Sequence, residues 1–333
     1  MKNGRPTMKD VAKLAGVTQP TVSYVINGTA TISEEVKERV YKAIEELDYK
    51  PNFNAVALKT KRSHVIGVIL PDIVNSYYAV MAGILEKRLT KEGYMVLINS
   101  TSYKGEVEEL IVKQLLSHNV EAFIIAYQFT NSECWRILGE SGKEAVVIEA
   151  GKKGGMFSAV ETDNFYGSYM ATMHLLREGR KRIAYIGQNS NIDALWQRES
   201  GYIEALKESG SQGEPVIYRT GGPDEKWMEG VKIGGELIKQ DIDGILVSSD
   251  EIAVGILKTF LSSGVKVPDD VSIIGYDDIP IAKLLIPELT TVAQPMNDIC
   301  QNAADMLIKL IRGEKAASIK LKPELIVRKT THK

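Results

Sequence analysis

Up to Lys50 the apolar positions of the chain recur at helical spacing, and no stretch reads as a strand. Val11, Leu14 and Ala15 form a short stripe, and Val22, Val25 and Ile26 form a second. Val36, Val40, Ile44 and Leu47 form a third at i, i+4, i+8 and i+11. Helix signals punctuate these stripes. Thr7-Met-Lys-Asp10 predicts a capping box, in which the Thr7 hydroxyl accepts from the Asp10 amide and the carboxylate reaches back. Gly16 breaks the first stripe. Thr18 is placed to cap a second helix that tolerates Pro20 in its first turn, where the missing N–H has no partner to lose. Asn27-Gly28 ends that helix, and Ser33 is placed to cap the third. Three short helices with one tight glycine turn predict a helix-turn-helix unit.

Beyond residue 63 the rhythm changes. Short apolar runs at Val65–Leu70, Tyr94–Ile98, Ala122–Ala126, Ala145–Ile148, Ile183–Gly187, Gly244–Val247 and Val271–Gly275 alternate with helix-length segments. That alternation implies parallel βαβ units, and the number of strands predicts two sheets. Between the two regions Pro51 stops the third helix. Asn52 or Asn54 can start a further helix of roughly two turns, too short to hold its shape alone in water.

At 44% hydrophobic and 25% charged residues, collagen-like, disordered and coiled-coil classes are excluded. The longest apolar runs are too short to span a bilayer, and Met1-Lys-Asn-Gly-Arg-Pro-Thr7 lacks the apolar core of a signal peptide. Cys134 and Cys300 make neither a disulfide framework nor a metal-ligand set, which fits a reducing cytoplasm and no membrane partner. A net charge of −2 argues against nucleic acid until it is divided. Residues 1–62 hold 11 Lys+Arg against 7 Asp+Glu, and the remainder holds 30 against 36. A basic unit joined to an acidic body is the asymmetry expected of a DNA-binding head on a soluble domain.

An ordered series of motifs then narrows the class. Thr7 through Thr18, Thr21-Val-Ser-Tyr-Val-Ile-Asn-Gly28 and Ser33 through Asn52 resemble the headpiece of the LacI/GalR transcriptional regulators. The resemblance continues through Leu70-Pro-Asp-Ile-Val-Asn-Ser-Tyr-Tyr78, Thr162-Asp-Asn164, Arg182-Ile-Ala-Tyr-Ile-Gly187, Ser249-Asp250, Ile274-Gly-Tyr-Asp277 and Thr290-Thr-Val-Ala-Gln-Pro295. It implies an all-α headpiece over 1–50, a hinge over 51–62 and a periplasmic-binding-protein-like α/β body over 63–333. The body would have two doubly wound subdomains, about 63–161 with 292–320 and about 162–291 with 321–333.

By the same resemblance the second helix enters the major groove, where base edges carry distinct donor and acceptor patterns. Gln19, Pro20 and Tyr24 fall at base-contacting positions. Gln19 can pair with adenine, and Tyr24 stands where Arg is frequent. Thr21, Ser23 and Asn27 suit phosphate contacts, and Thr7, Thr18, Thr31 and Asn52 are carried over with them as DNA-binding residues. In the hinge, Ala55 sits where two hinge helices meet and Leu58 is the expected wedge in the minor groove. Val56 replaces a frequent Arg, so a minor-groove charge contact is either lost or moved to Lys59. The partners implied are a pseudopalindromic double-stranded operator and a second copy of the chain. No heptad extension follows Arg328, so a homodimer is expected.

The resemblance also places an effector site outside the carboxyl ends of the body's strands. Asn75, Tyr77 and Tyr78 follow the first strand and Glu149 ends the fourth. Arg198, Ser249, Asp250, Asp277 and Gln294 lie at later strand ends or loops. Carboxylates and an Arg suit paired hydrogen bonds to vicinal hydroxyls, and the faces of Trp196 and Trp227 suit a sugar ring. A sugar or sugar derivative is therefore the expected effector, with no cofactor. Trp135, with Ile137 and Leu138 nearby, reads as core.

An enzyme on a doubly wound sheet is the competing class, but no G-x-G-x-x-G, G-x-x-x-x-G-K-[ST] or G-x-S-x-G motif occurs. His64, His118, His174 and His332 lack metal-ligand spacing. Asp277-Asp278 is a carboxylate pair whose members should point to opposite faces of a strand. No catalytic or metal-ligating residue is thus expected. A further reading is a catabolite-control regulator gated by a phosphocarrier protein.

Overall fold

The computed structural model describes residues 6–27, 30–49, 62–126, 131–151, 156–189, 192–210, 214–221 and 226–332. The chain divides into two compact units, Met1–Ser63 and His64–Lys333.

The first unit holds α1 (Met8–Ala15), α2 (Gln19–Asn27) and α3 (Glu34–Glu46). The capping box forms: Thr7 N donates to Asp10 Oδ2 at 2.8 Å, and Asp10 N donates to Thr7 Oγ1 at 3.4 Å. Gly16 closes α1 at φ 67°, a left-handed conformation that costs a glycine little. Thr18 Oγ1 accepts from Thr21 N at 3.3 Å at the start of α2. Two expectations need correction. Ser33 stands at the N-cap of α3 but its side chain makes no cap bond, and Glu34 and Glu35 in the first turn meet the helix dipole instead. Leu14 is 46% exposed, because α1 packs through Val11, Ala12 and Ala15. Val22, Val25, Val40, Ala43 and Tyr49 complete that small core.

The second unit contains two six-stranded sheets. The first is built from β1 (Val65–Leu70), α4 (Ser76–Lys91), β2 (Met95–Ser100), α5 (Gly105–Ser117), β3 (Ala122–Ile125), α6 (Ser132–Ser141), β4 (Glu144–Ile148) and β5 (Ser158–Thr162). The chain then crosses to α7 (Asn164–Arg177), β6 (Ile183–Gln188), α8 (Asp193–Glu208), β7 (Val216–Thr220), α9 (Lys226–Leu237), β8 (Gly244–Val247), α10 (Asp250–Ser262), β9 (Ser272–Asp277), a 3₁₀ turn (Pro280–Lys283) and β10 (Thr290–Ala293). It returns for α11 (Met296–Ile311) and β11 (Ile319–Leu321), and crosses again to β12 (Glu324–Ile326). The strand orders are β11-β5-β4-β3-β1-β2 and β12-β10-β9-β8-β6-β7. All pairings are parallel except β10 with β12.

Strand pairing moves the expected subdomain limits slightly. Thr162 and Leu321 pair with each other in the first sheet, and Val292 pairs with Tyr276 and Leu325 in the second. The crossings therefore follow Thr162, Ala293 and Leu321.

Each sheet is covered on both faces, which is why its central strands read as continuous apolar runs. On β1, Ile66, Val68 and Leu70 face Leu85, Leu89, Ala303 and Leu307 of α4 and α11, while Ile69 faces the α5 and α6 side with Val112, Leu115 and Trp135. Trp135 is core, as expected. In the second sheet, α9 and α10 lie so close that a Cβ on Gly230 would sit 2.2 Å from Ile252 O, and one on Gly255 2.0 Å from Trp227 O. This contact fixes the first turn of α9, which bears on the site below.

Candidate functional site

The strand order reverses beside β1 in the first sheet and beside β6 in the second. Open parallel sheets leave a crevice at the carboxyl ends of strands at such points. A cavity of about 260 Å³ lies there, between the two lobes of the second unit. Asn75, Tyr77, Tyr78 and Glu149 line it from the first lobe, and Arg198, Ser249 and Asp277 line it from the second, with Gln294 at the crossing after β10.

Most of these side chains are held in place by the protein. Asn75 caps α4 by accepting from Tyr77 N at 2.9 Å, and its Nδ2 donates across the crevice to Glu251 Oε2 at 3.2 Å. Glu149 accepts from Thr162 N at 2.7 Å and from Asn164 Nδ2 at 2.9 Å. Arg198 donates Nε to Asn164 Oδ1 at 2.8 Å and Nη1 to Ser248 O at 2.7 Å. Its guanidinium lies 3.6 Å from Asp277 Oδ1 and 3.6 Å from the centre of the Tyr276 ring. Gln294 ties the lobes together: its Oε1 accepts from Tyr77 OH and Thr162 Oγ1, each at 3.0 Å, and its Nε2 donates to Asp277 Oδ1 at 2.7 Å.

Two of the acids sit in strained backbone, Glu149 at φ 58° and Asp277 at φ 116°. Non-glycine residues adopt such angles at a cost that the surrounding structure must offset, and they gather at ligand sites. Burial pushes both carboxyls above the usual range, opposed for Asp277 chiefly by Arg198. Asp278, just past the strand end at φ 53°, has a different partner and accepts from Arg328 Nη2 at 2.5 Å.

Three residues expected to meet the effector, Asp250, Trp196 and Trp227, are not in the cavity lining. Asp250 is fully buried and structural: it accepts from Thr291 Oγ1 at 2.6 Å and from Ile279 N at 2.9 Å, holding the turn that follows Asp277. Trp196 is 48% exposed on the outer face of α8, where its ring meets Arg219. Trp227 is likewise exposed, beside Lys258. The aromatic surface comes instead from Tyr77, Tyr78 and Tyr103, the last in the loop after β2 and hydrogen-bonded to Tyr78.

Lys226, Gln188, Asn189 and Leu195 also line the cavity, and sequence reasoning missed them. Gln188 ends a strand whose carboxyl end was already suspected. Lys226 carries no such signal, since a lysine at a helix start reads as solvated. Among the described residues no cluster of His, Cys, Asp or Glu could hold a metal ion.

In the first unit, Thr18, Gln19, Pro20 and Tyr24 are exposed on the start of α2, opposite Val22 and Val25 in the core. Thr7 and Thr31 are exposed, Thr21 and Ser23 half-buried, and the Thr18 and Thr21 hydroxyls bond each other at 2.8 Å. The Asn27 side chain and Asn52, Ala55, Val56, Leu58 and Lys59 lie outside the described residues.

Residues 7–52 match the model of bacterial regulatory proteins of the lacI family, and residues 172–331 match a periplasmic binding protein-like domain. The chain is 33% identical over 329 residues to the HTH-type transcriptional regulator RegA of Clostridium saccharobutylicum, covering 98% of this chain and 99% of that protein. Among solved structures, the lac repressor dimer bound to operator and the anti-inducer ONPF matches with a TM-score of 0.87 at 26% identity, over 98% of this chain and 99% of the other. A LacI family regulator from Enterococcus faecium with bound ribose matches with a TM-score of 0.73 at 28% identity, over 80% and 98%.

Proposed function

Because the chain belongs to the LacI family of DNA-binding transcriptional regulators, we propose that it is a ligand-responsive repressor that binds a two-fold symmetric operator as a homodimer. The start of α2 reads bases in the major groove, with Gln19 and Tyr24 exposed for that purpose. A second copy of the chain covers the exposed apolar side chains of the body: Val74 and Val80 at α4, and Ile281, Leu284 and Ile286 around the 3₁₀ turn. The related lac repressor is a dimer on its operator. No helix among the described residues is long and apolar enough to cross a membrane, and a regulator of this kind works beside DNA in the cytoplasm.

The effector is a sugar or sugar derivative. One observation carries this reading: the cavity between the lobes sets oriented acids, an Arg and an amide beside tyrosine faces. That chemistry suits hydroxyls on one side and ring C–H groups on the other. The related Enterococcus regulator holds ribose. Ligand and DNA act on a shared equilibrium between lobe arrangements, so each must change the affinity for the other. The test is a thermal-shift panel of sugars on the full chain, with and without a phosphocarrier protein. A stabilising sugar supports the effector reading. Stabilisation or operator binding that appears only with the carrier would favour the catabolite-control reading instead.

A further inference from the structure

The cavity holds two buried cations in opposite states. Arg198, 7% exposed, spends its guanidinium on Asn164, the Ser248 carbonyl, Asp277 and the Tyr276 ring. Lys226, 9% exposed and part of the same lining, makes no hydrogen bond and no ion pair among the described residues. Its nearest aromatic contact is the Tyr103 ring, 6.0 Å from Nζ. Three carboxylates act on it at longer range without an ion-pair contact: Glu251, which accepts from Asn75, Asp277, held by Gln294 and Arg198, and Asp72. Burial accordingly lowers the Lys226 ammonium below its usual range.

An ammonium with no hydrogen bond or ion pair is costly to desolvate, and a cleft that holds one leaves room for a direct partner supplied by a ligand. The lysine is placed there by construction. It opens α9, whose first turn is fixed against α10 by the Gly230–Gly255 contact. Nearby in the lining, the buried hydroxyls of Ser248 and Ser249 have no hydrogen-bond partner among the described residues.

We propose that the effector carries an anionic group, a carboxylate or a phosphate on a sugar-like scaffold, and that Lys226 is its counter-ion. This rests on the cavity being the effector site. Lys226 then selects charge, while Glu149, Arg198 and Asp277 orient hydroxyls.

The experiment uses the full chain in thermal-shift and calorimetric titrations with matched sets of hexoses and pentoses. Each set contains the neutral sugar, its uronic or aldonic acid, and its phosphate monoester. In at least one set a charged member should bind about tenfold or more tightly than its neutral parent. The acid and phosphate arms identify which anion is used. Lys226→Met should abolish the preference and Lys226→Arg should retain it. The Met variant should melt no lower than the parent without ligand, since it removes an unpaired buried charge. A neutral sugar that binds as tightly as its charged relatives, with Lys226→Met unchanged, overturns the anionic effector and leaves the sugar reading standing. No binding by any member of any set overturns both.

Discussion

The two walls of the cavity are built from different chemistry. The first lobe brings Tyr77, Tyr78 and Tyr103 and a single charged side chain, Glu149, while the second brings Arg198, Lys226 and Asp277. Shape and ring surface therefore come from one lobe and most of the charge from the other. A ligand whose polar groups are first met by the second lobe gains its aromatic contacts only when the first lobe is in register. Among the described residues that register is held by bonds from Asn75 to Glu251, from Glu149 to Asn164, and from Gln294 to Tyr77, Thr162 and Asp277. On the proposed function, the charged wall should set affinity and the bridging amides should set coupling.

The strongest way to break this contrast is Arg198→Met. It takes the guanidinium from Asp277 and Asn164, and breaking a buried pair from one side costs about 3–5 kcal/mol. Denaturant unfolding should show a loss of that order together with loss of ligand binding; a variant of normal stability and affinity would remove Arg198 from the account. Gln294→Leu removes a bond from Tyr77, Thr162 and Asp277, at about 1–3 kcal/mol for a buried orphan. Its signature is that ligand still binds but shifts operator affinity less than in the parent. Equal coupling in the two proteins would move the linkage elsewhere. Tyr77→Phe deletes one hydroxyl donor and should cost about 1 kcal/mol of stability, with little change in charge selectivity.

The smallest effect is a pH slope. Lys226 has a lowered pKa in the folded protein, so its charge is penalised at pH values below that pKa. The penalty is relieved as pH rises toward the unfolded lysine value. Without ligand, the melting temperature of the parent relative to Lys226→Met should therefore climb across that alkaline window. A flat difference would mean the ammonium is not desolvated.

Much of this was legible in the sequence where local rules act. The Thr7–Asp10 box, Gly16 and the apolar stripes define the headpiece helices because capping and periodicity are short-range. The central strands declare themselves as apolar runs. The edge and crossing strands do not: β7 (Val216–Thr220) is polar in part, and β11 and β12 are three residues each. Within the site, residues tied to family motifs such as Asn75, Glu149 and Gln294 could be named in advance. Trp196 and Asp250 could not be placed correctly, because the phase of α8 and the partnership of Asp250 with Thr291 depend on packing between elements far apart in the chain. Lys226 was invisible for the same reason: its burial comes from the close approach of α9 and α10, and nothing within its own segment records it.

The proposed switch links occupancy of this cavity to occupancy of the operator. It is tested most directly by fluorescence anisotropy of a two-fold symmetric operator titrated with the full chain. The titration is run without ligand and with the sugar-class ligand at a concentration shown by calorimetry to saturate the protein. Saturation should change the operator dissociation constant by about fivefold or more. The reverse experiment should give the same factor for the effect of operator on ligand affinity. A saturated protein whose operator affinity is unchanged would contradict the proposed switch.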